Sequence, residues 1–166
     1  IFKKSNVLFG FDKASGNIAR MSSREAIVCE GQIDTIRLHI SGFSTAVASQ
    51  GTAFTEIHAK MLAQVADSVL LVFDNDNAGR KASVKTARLL LAAGLPVKVV
   101  SLPDGHDPDS FLREKGAAEF SKILSQARSI IEFQVESEKL IEDNPSSIDA
   151  VMRISRNVLE TVSYSS

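Results

Sequence analysis

Residues 70–80 read LLVFDNDNAGR, and with Val69 before them five apolar residues in a row run into two aspartates one residue apart. Val69, Leu70, Leu71, Val72 and Phe73 have the composition of a strand buried on both faces. Asp74 and Asp76 end it, and Asn77, Ala78 and Gly79 lead into a basic helix predicted to begin near Arg80. A strand that stops at two carboxylates and turns into a helix sets negative charge at the carboxyl edge of a sheet. Open α/β sheets form their ligand sites at that edge. Carboxylates held close raise one another's pKa unless a cation lies between them. Oxygen-only donors there suit a hard divalent ion, Mg²⁺ or Mn²⁺. The alternative is a polar turn in which one aspartate simply caps the helix.

The rest of the chain supplies the setting. Its 166 residues suffice for one domain with a sizeable core and a helical appendage. With 44% hydrophobic and 23% charged residues, the composition is that of an ordinary soluble globular protein. No apolar run approaches the roughly 18 residues of a membrane span, and no signal pattern opens the chain. The start at Ile1, where methionine would be expected, predicts a piece of a longer protein. Cys29 is the only cysteine, which excludes an internal disulfide and a cysteine-built zinc site and predicts a reducing cytoplasm. A net charge of −1 gives no bulk attraction for nucleic acid, so any such case rests on local clusters.

Taken in order, residues 1–11 (IFKKSNVLFGF) predict an edge strand behind the basic pair Lys3 and Lys4. Residues 12–23, with Gly16, Asn17 and several serines, predict a linker. Residues 26–29 form a short strand ending at Glu30-Gly31, followed by a helix with Ile33, Ile36 and Ile40 on one face. Residues 46–48 are a second short strand. Thr55 is the expected N-cap of a helix through Ala66 carrying Ile57, Met61 and Val65. Residues 80–93 predict a helix with an apolar stripe of Val84, Ala87 and Leu91 beside a basic face of Lys81, Lys85 and Arg88, read as solvated, with contact to a nucleic-acid backbone as the alternative. Residues 97–102 are another strand, and the acidic loop 104–109 leads into a short helix stopped by Gly116. Helical signal fills the remainder, with a break at Asn144-Pro145 and a last helix carrying Val151, Ile154, Val158 and Val162. Short strands alternating with helices predict an α/β fold, a mostly parallel four-stranded sheet with helices on both faces, an edge strand before it and a helical extension after it.

Three strand ends are acidic. Glu30 ends one, with Asp34 a helical turn beyond; Asp74 and Asp76 end the next; Asp107 and Asp109 follow the third. If those strands are neighbours, the carboxylates converge, an arrangement that costs free energy without cations. Glu30 then reads as a metal ligand or acid/base, against the plainer role of an acid at a helix start. Asp109 has the alternative of capping the helix at Ser110, so Asp107 is the preferred site residue of that pair. His106 is expected to be solvated, Cys29 to fill the core, and Tyr164 is too near the carboxyl end for a topoisomerase-type nucleophile.

These residues also carry a family resemblance. Glu30-Gly31 with Asp34, Gly51-Thr52-Ala53, FDNDNAGR at 73–80 and LPDGHDPDSF at 102–111 resemble the Toprim domain of bacterial DnaG-type DNA primases. IFKKSNVLFGF is similar to the segment preceding it, and the likeness runs over roughly residues 2–133. The resemblance implies a Toprim domain over residues 25–116, the end of a preceding polymerase segment over 1–24 and a helical extension over 117–166. It implies template-directed synthesis of RNA primers from ribonucleoside triphosphates, in a bacterial cytoplasm at the replication fork. Glu30, Asp74 and Asp76 would bind Mg²⁺ or Mn²⁺, with Asp34, Asp107 and Asp109 completing the catalytic site. Lys3, Lys4 and Arg80 would meet single-stranded DNA template or nucleotide. The replicative helicase would be met through a domain outside this chain, as would the template-binding zinc domain. The family often has Gly where Asn75 stands. The competing expectations are a Toprim nuclease or topoisomerase subunit, against which the DPD loop and the FKK lead-in speak, and a receiver-like module with Asp74 as phosphoacceptor.

Overall fold

A computed structural model describes residues 6–49, 51 and 53–165; Lys3 and Lys4 lie outside them. Six strands form one sheet in the order β1-β3-β2-β4-β5-β6. The four central strands are parallel: β3 (Ala46–Ser49), β2 (Glu25–Cys29), β4 (Ser68–Phe73) and β5 (Val97–Ser101). Antiparallel two-residue strands close both edges, β1 (Leu8–Phe9) on β3 and β6 (Arg128–Ser129) on β5. The first of these edges was expected, the second was not.

Strand alternation divides the core in two. Ala26, Val28, Val69, Leu71 and Phe73 face α1 (Phe11–Arg20), α3 (Glu56–Ala63), α4 (Asn77–Ala92) and α6 (Ile130–Leu140). Ile27, Cys29, Leu70 and Val72 face α2 (Gln32–Ile40) and α5 (Pro108–Ser125). Val28, Leu71 and Val72 are fully buried, each stabilising the fold by about 1.5–3 kcal/mol. Helix α7 (Ile148–Ser163) packs outside, on α6. No helix among the described residues is long and apolar enough to cross a membrane.

Several elements depart from expectation. Residues 12–23 are no linker, since α1 occupies most of them. Phe11, Ala14 and Ile18 recur at helical spacing, and burying Ala14 and Ile18 completely outweighs the local turn signal of Gly16 and Asn17. In α2 the predicted stripe points outward: Ile33 is 65% and Ile40 73% exposed, while Asp34, Thr35 and Leu38 are buried. The helix start sets that phase, because Gly31 N–H donates to Asp34 Oδ2 and Thr35 Oγ1 donates to Gly31 O. Thr55 caps α3 as expected, accepting from His58 N–H, but the buried face is His58, Ala59 and Leu62. Helix α4 starts at Asn77, a turn's fraction before Arg80, and buries Ser83, Thr86, Ala87 and Leu90. In α7 the buried residues are Ala150, Ile154 and Thr161, leaving Val151 and Val162 exposed. Gly116, at φ 80°, breaks α5 where a stop was expected.

The chain's route creates the opening used below. The chain leaves the carboxyl end of β2 through α2 on one face toward β3, and the carboxyl end of β4 through α4 on the other face toward β5. Because these two crossovers depart in opposite directions, a crevice opens between the ends of β2 and β4.

Candidate acidic active site

The register brings the three acidic strand ends together. Cys29 pairs with Val72 and Phe73 with Ser101, so Glu30 follows β2 beside the end of β4, and the 104–109 loop leaves β5 next to Asp74. Glu30 Oε1 is buried and has no hydrogen-bond partner. Burial, then the Asp74 charge, raises the Glu30 pKa above its usual value. Asp74 is also raised, by burial and then by the charges of Asp107 and Asp76.

Helix α4 comes down directly over this pair. A Cβ at Gly79 would stand 2.1 Å from Asp74 O and 3.1 Å from Glu30 Oε1. Only glycine permits that approach. Asp76 is the N-cap, its Oδ1 accepting from Gly79 N–H at 2.7 Å, so the capping alternative holds for one of its oxygens. Asn75 ties the turn to the neighbouring loop: its Nδ2 donates to Leu102 O at 3.1 Å and to Asp104 Oδ1 at 3.0 Å. Arg80 donates back to Asn75 O at 2.8 Å, to Asn75 Oδ1 at 2.9 Å and to Asn77 Oδ1 at 3.3 Å. Asp74, Asp76, Arg80, Asp104 and Asp107 line an open cavity of about 450 Å³.

The remaining acids divide between caps and clamps. Asp107, not Asp109, caps α5, accepting from Ser110 N–H at 2.7 Å; the Ser110 hydroxyl contact holds its pKa below the ordinary range. Asp109 pairs with Arg37 at 2.6 Å and with Arg113 at 3.6 Å. Its backbone N–H donates to Asp34 Oδ1 at 3.2 Å, so Asp34 and Arg37 together fasten α2 to the acidic loop. Asp34 is 8% exposed, and burial, with the charges of Asp107 and Asp74, pushes its pKa up to about 6. His106, expected in solvent, stacks edge-on against Phe111 with its Nε2 3.7 Å from Glu114. Cys29 is buried as expected, and burial pushes its thiol up to about 12.

Sequence reasoning missed three residues here: Gly79, Asn75 and Arg37. The small-residue pair after the second aspartate was a signal for the first. Arg37 gave none, since its partner lies 72 positions away. Arg37→Met is expected to cost about 1–2 kcal/mol, as a partly buried charge-assisted bond is lost. Hydrogen exchange should then quicken over residues 105–110; unchanged protection there would show that the pair does not hold the loop.

Among the described residues no three His, Cys, Asp or Glu side chains stand together as a ready metal cluster. The donor set nevertheless fits a hard cation. It is all oxygen, and Glu30 offers a buried acceptor with nothing to accept from. Mg²⁺ commonly takes one or two carboxylates and fills its shell with water and phosphate oxygens.

Comparison with known proteins agrees with this geometry. The Toprim-like family matches residues 27–112. The DNA primase of Chlamydia pneumoniae is 43% identical over 141 residues, covering 84% of this chain and 23% of the primase. The Aquifex aeolicus primase structure of zinc-binding and RNA polymerase domains superposes with a TM-score of 0.82 at 31% identity, over 99% of this chain and 38% of that one. A DnaG primase catalytic domain bound to ssDNA gives a TM-score of 0.82 at 30% identity, over 98% and 53% respectively. The chain thus spans about a quarter of the length of the curated relatives it matches. The expected α/β Toprim fold is the one these structures share with it.

Proposed function

This chain belongs to the Toprim-like family, and from that premise we propose that it is the Toprim part of a DNA primase catalytic core, joining ribonucleotides into short RNA primers on single-stranded DNA. The observation that carries this reading is the Glu30–Asp74 pair beneath Gly79: a buried, unpartnered carboxylate oxygen beside a second carboxylate, both with raised pKa.

Glu30, Asp74 and the uncapped oxygen of Asp76 would hold Mg²⁺ or Mn²⁺. When bound, such ions neutralise phosphate charge and align an in-line displacement at the α-phosphate. The chain's own residues do the positioning. Asp76 fixes the start of α4 over the pair, and Asn75 and Arg80 hold the turn between the two aspartates. Asp34, which accepts from the Asp109 N–H, and Arg37, which holds the Asp109 carboxylate, set the loop that presents Asp107 to the cavity. Arg80 lines the cavity and is available to a triphosphate or template phosphate; Lys3 and Lys4 are assigned the same role. Residues 1–24 and 117–166 are read as flanking polymerase and helical segments around a Toprim unit at 25–116. The proposed partners are single-stranded DNA template, ribonucleoside triphosphates and, through another domain, the replicative helicase, in a bacterial cytoplasm.

Calorimetric titration with Mn²⁺ tests the reading. Asp74→Asn and Glu30→Gln should each weaken binding on the order of tenfold or more, with the fold intact. Equal Mn²⁺ affinity in both variants would remove the proposed site. Metal-dependent nicking of DNA by the chain would favour the phosphodiester-cleaving alternative.

A further inference from the structure

Helix α4 begins at the acid site and runs away from it along a groove of about 540 Å³ between α4, α6 and α7. The groove meets the acid site at two points. Arg80 lines both it and the acidic cavity. Lys85 lines both it and a smaller hollow of about 330 Å³ that contains Glu30 and Ser49.

Most charges in the groove are already matched. Arg88 donates to Thr161 Oγ1 at 3.0 Å and to Asn157 O at 3.3 Å, and pairs with Glu160 at 3.1 Å; it is a tie between α4 and α7 and no part of a solvated face. Arg153 pairs with Glu142. Glu138 keeps its charge but has both oxygens occupied, accepting from Gln134 at 2.7 Å and from Asn157 at 2.8 Å. Lys81 and Lys85 differ: both are exposed on the groove wall, and among the described residues no hydrogen bond or ion pair engages either one. Lys81 and Lys85 therefore stand on one wall beside Arg80, whose own hydrogen bonds go only to the neutral Asn75 and Asn77. The two lysines lie one helical turn apart, about 6 Å along α4, comparable to the step between neighbouring phosphates of an extended strand. Val84 between them and Ile141 in the same groove offer apolar surface for sugars or bases.

We propose that this groove carries the sugar–phosphate backbone of a single nucleic-acid strand between the acid site and the solvent, with Lys81 and Lys85 as its phosphate contacts. The proposal rests on the primase reading and deepens it by giving the strand a path. An open, elongated groove with cations in a row suits a polymer; a free triphosphate would need charges gathered around one point. Template DNA and product RNA share the required chemistry.

The test is fluorescence anisotropy of labelled oligo(dT) and oligo(rU) with the whole chain, over a salt series and without divalent metal. In single strands each neutralised phosphate contributes about 0.7 to the log–log salt slope. Lys81→Gln with Lys85→Gln should therefore lower the slope by about 1.4 and weaken binding several-fold at low salt. Lys115→Gln with Lys122→Gln, whose lysines pair with Glu114 and Glu119 on α5, should leave the slope unchanged. A larger loss with oligo(dT) assigns the groove to template, a larger loss with oligo(rU) to product. The Mn²⁺ titration should be identical in the lysine variant, so the two readings fail separately. An unchanged slope in the lysine variant overturns the groove alone. Absence of binding to either strand by the unsubstituted chain overturns the groove, whereas loss of the Mn²⁺ site overturns the primase reading.

Discussion

Gly79→Ala is expected to destabilise the protein by about 3 kcal/mol and to abolish Mn²⁺ binding, although alanine is the better helix former by about 1 kcal/mol. The reason is the approach of α4 to the end of β4. The added methyl would stand 2.1 Å from Asp74 O and 2.9 Å from Asp74 C, both backbone atoms that no rotamer change can move. Relief requires shifting either the helix start or the Asp74 peptide, and both shifts pull Asp76 off Gly79 N–H. Gly16→Ala is the internal control. There the new Cβ meets Arg20 Nη2 at 3.1 Å, the free end of a flexible side chain. Its sign should be reversed, a gain of about 0.5–1 kcal/mol. Urea denaturation of the two variants decides the matter. Equal stability changes would mean that the close approach does not constrain position 79.

The second large effect is on pH. Asp34 carries a pKa raised from 3.8 to about 6 in the folded protein. A carboxyl whose folded pKa is raised binds its proton more tightly when folded. It therefore stabilises the fold at low pH relative to high pH, and that advantage is lost as pH rises through about 6. From Asp34 alone the loss between about pH 4 and pH 7 is about 3 kcal/mol. Glu30 and Asp74, also raised, act in the same direction; Asp107, lowered by Ser110, acts in the opposite one. The metal-free protein should thus be most stable under mildly acidic conditions, and saturating Mn²⁺ should restore stability near neutrality. Denaturation midpoints across that pH range, with and without Asp34→Asn, give the test. A pH profile that the substitution leaves equally steep would exclude Asp34 as its source.

What the sequence made legible was the site's carboxylates more than its supports. The run from Val69 to Phe73 reads as a strand because a strand buried on both faces is continuous in hydrophobicity, and its abrupt end at Asp74 marks the sheet's edge. The convergence of Glu30, Asp74 and Asp107 followed once β2, β4 and β5 were taken as neighbours, as the register has them. Residues 11–20 were hidden because Gly16, Asn17 and the serines signal a turn locally, while the burial of Ala14 and Ile18 depends on a sheet elsewhere in the chain. The phase of α2 was misread for a related reason. Periodicity reports that an apolar face exists, but Asp34 and Thr35 face inward because their hydrogen bonds to Gly31 fix the first turn. The division of labour between Asp107 and Asp109 turned on Arg37, a partner that only the folded chain brings near.

The crevice between β2 and β4 has a consequence for how such a protein can change over time. It exists because two crossovers leave on opposite faces, so no core side chain had to be trimmed to make room for it. Packing and chemistry are thereby kept in separate parts of the chain. Residues such as Leu71 and Val28 answer to the layers above and below them, while the connections after β2, β4 and β5 answer to whatever enters the cleft. Mutation can lengthen, recharge or replace those connections without repacking either half of the interior. A scaffold of this kind can be inherited by enzymes that make phosphodiester bonds and by others that break them.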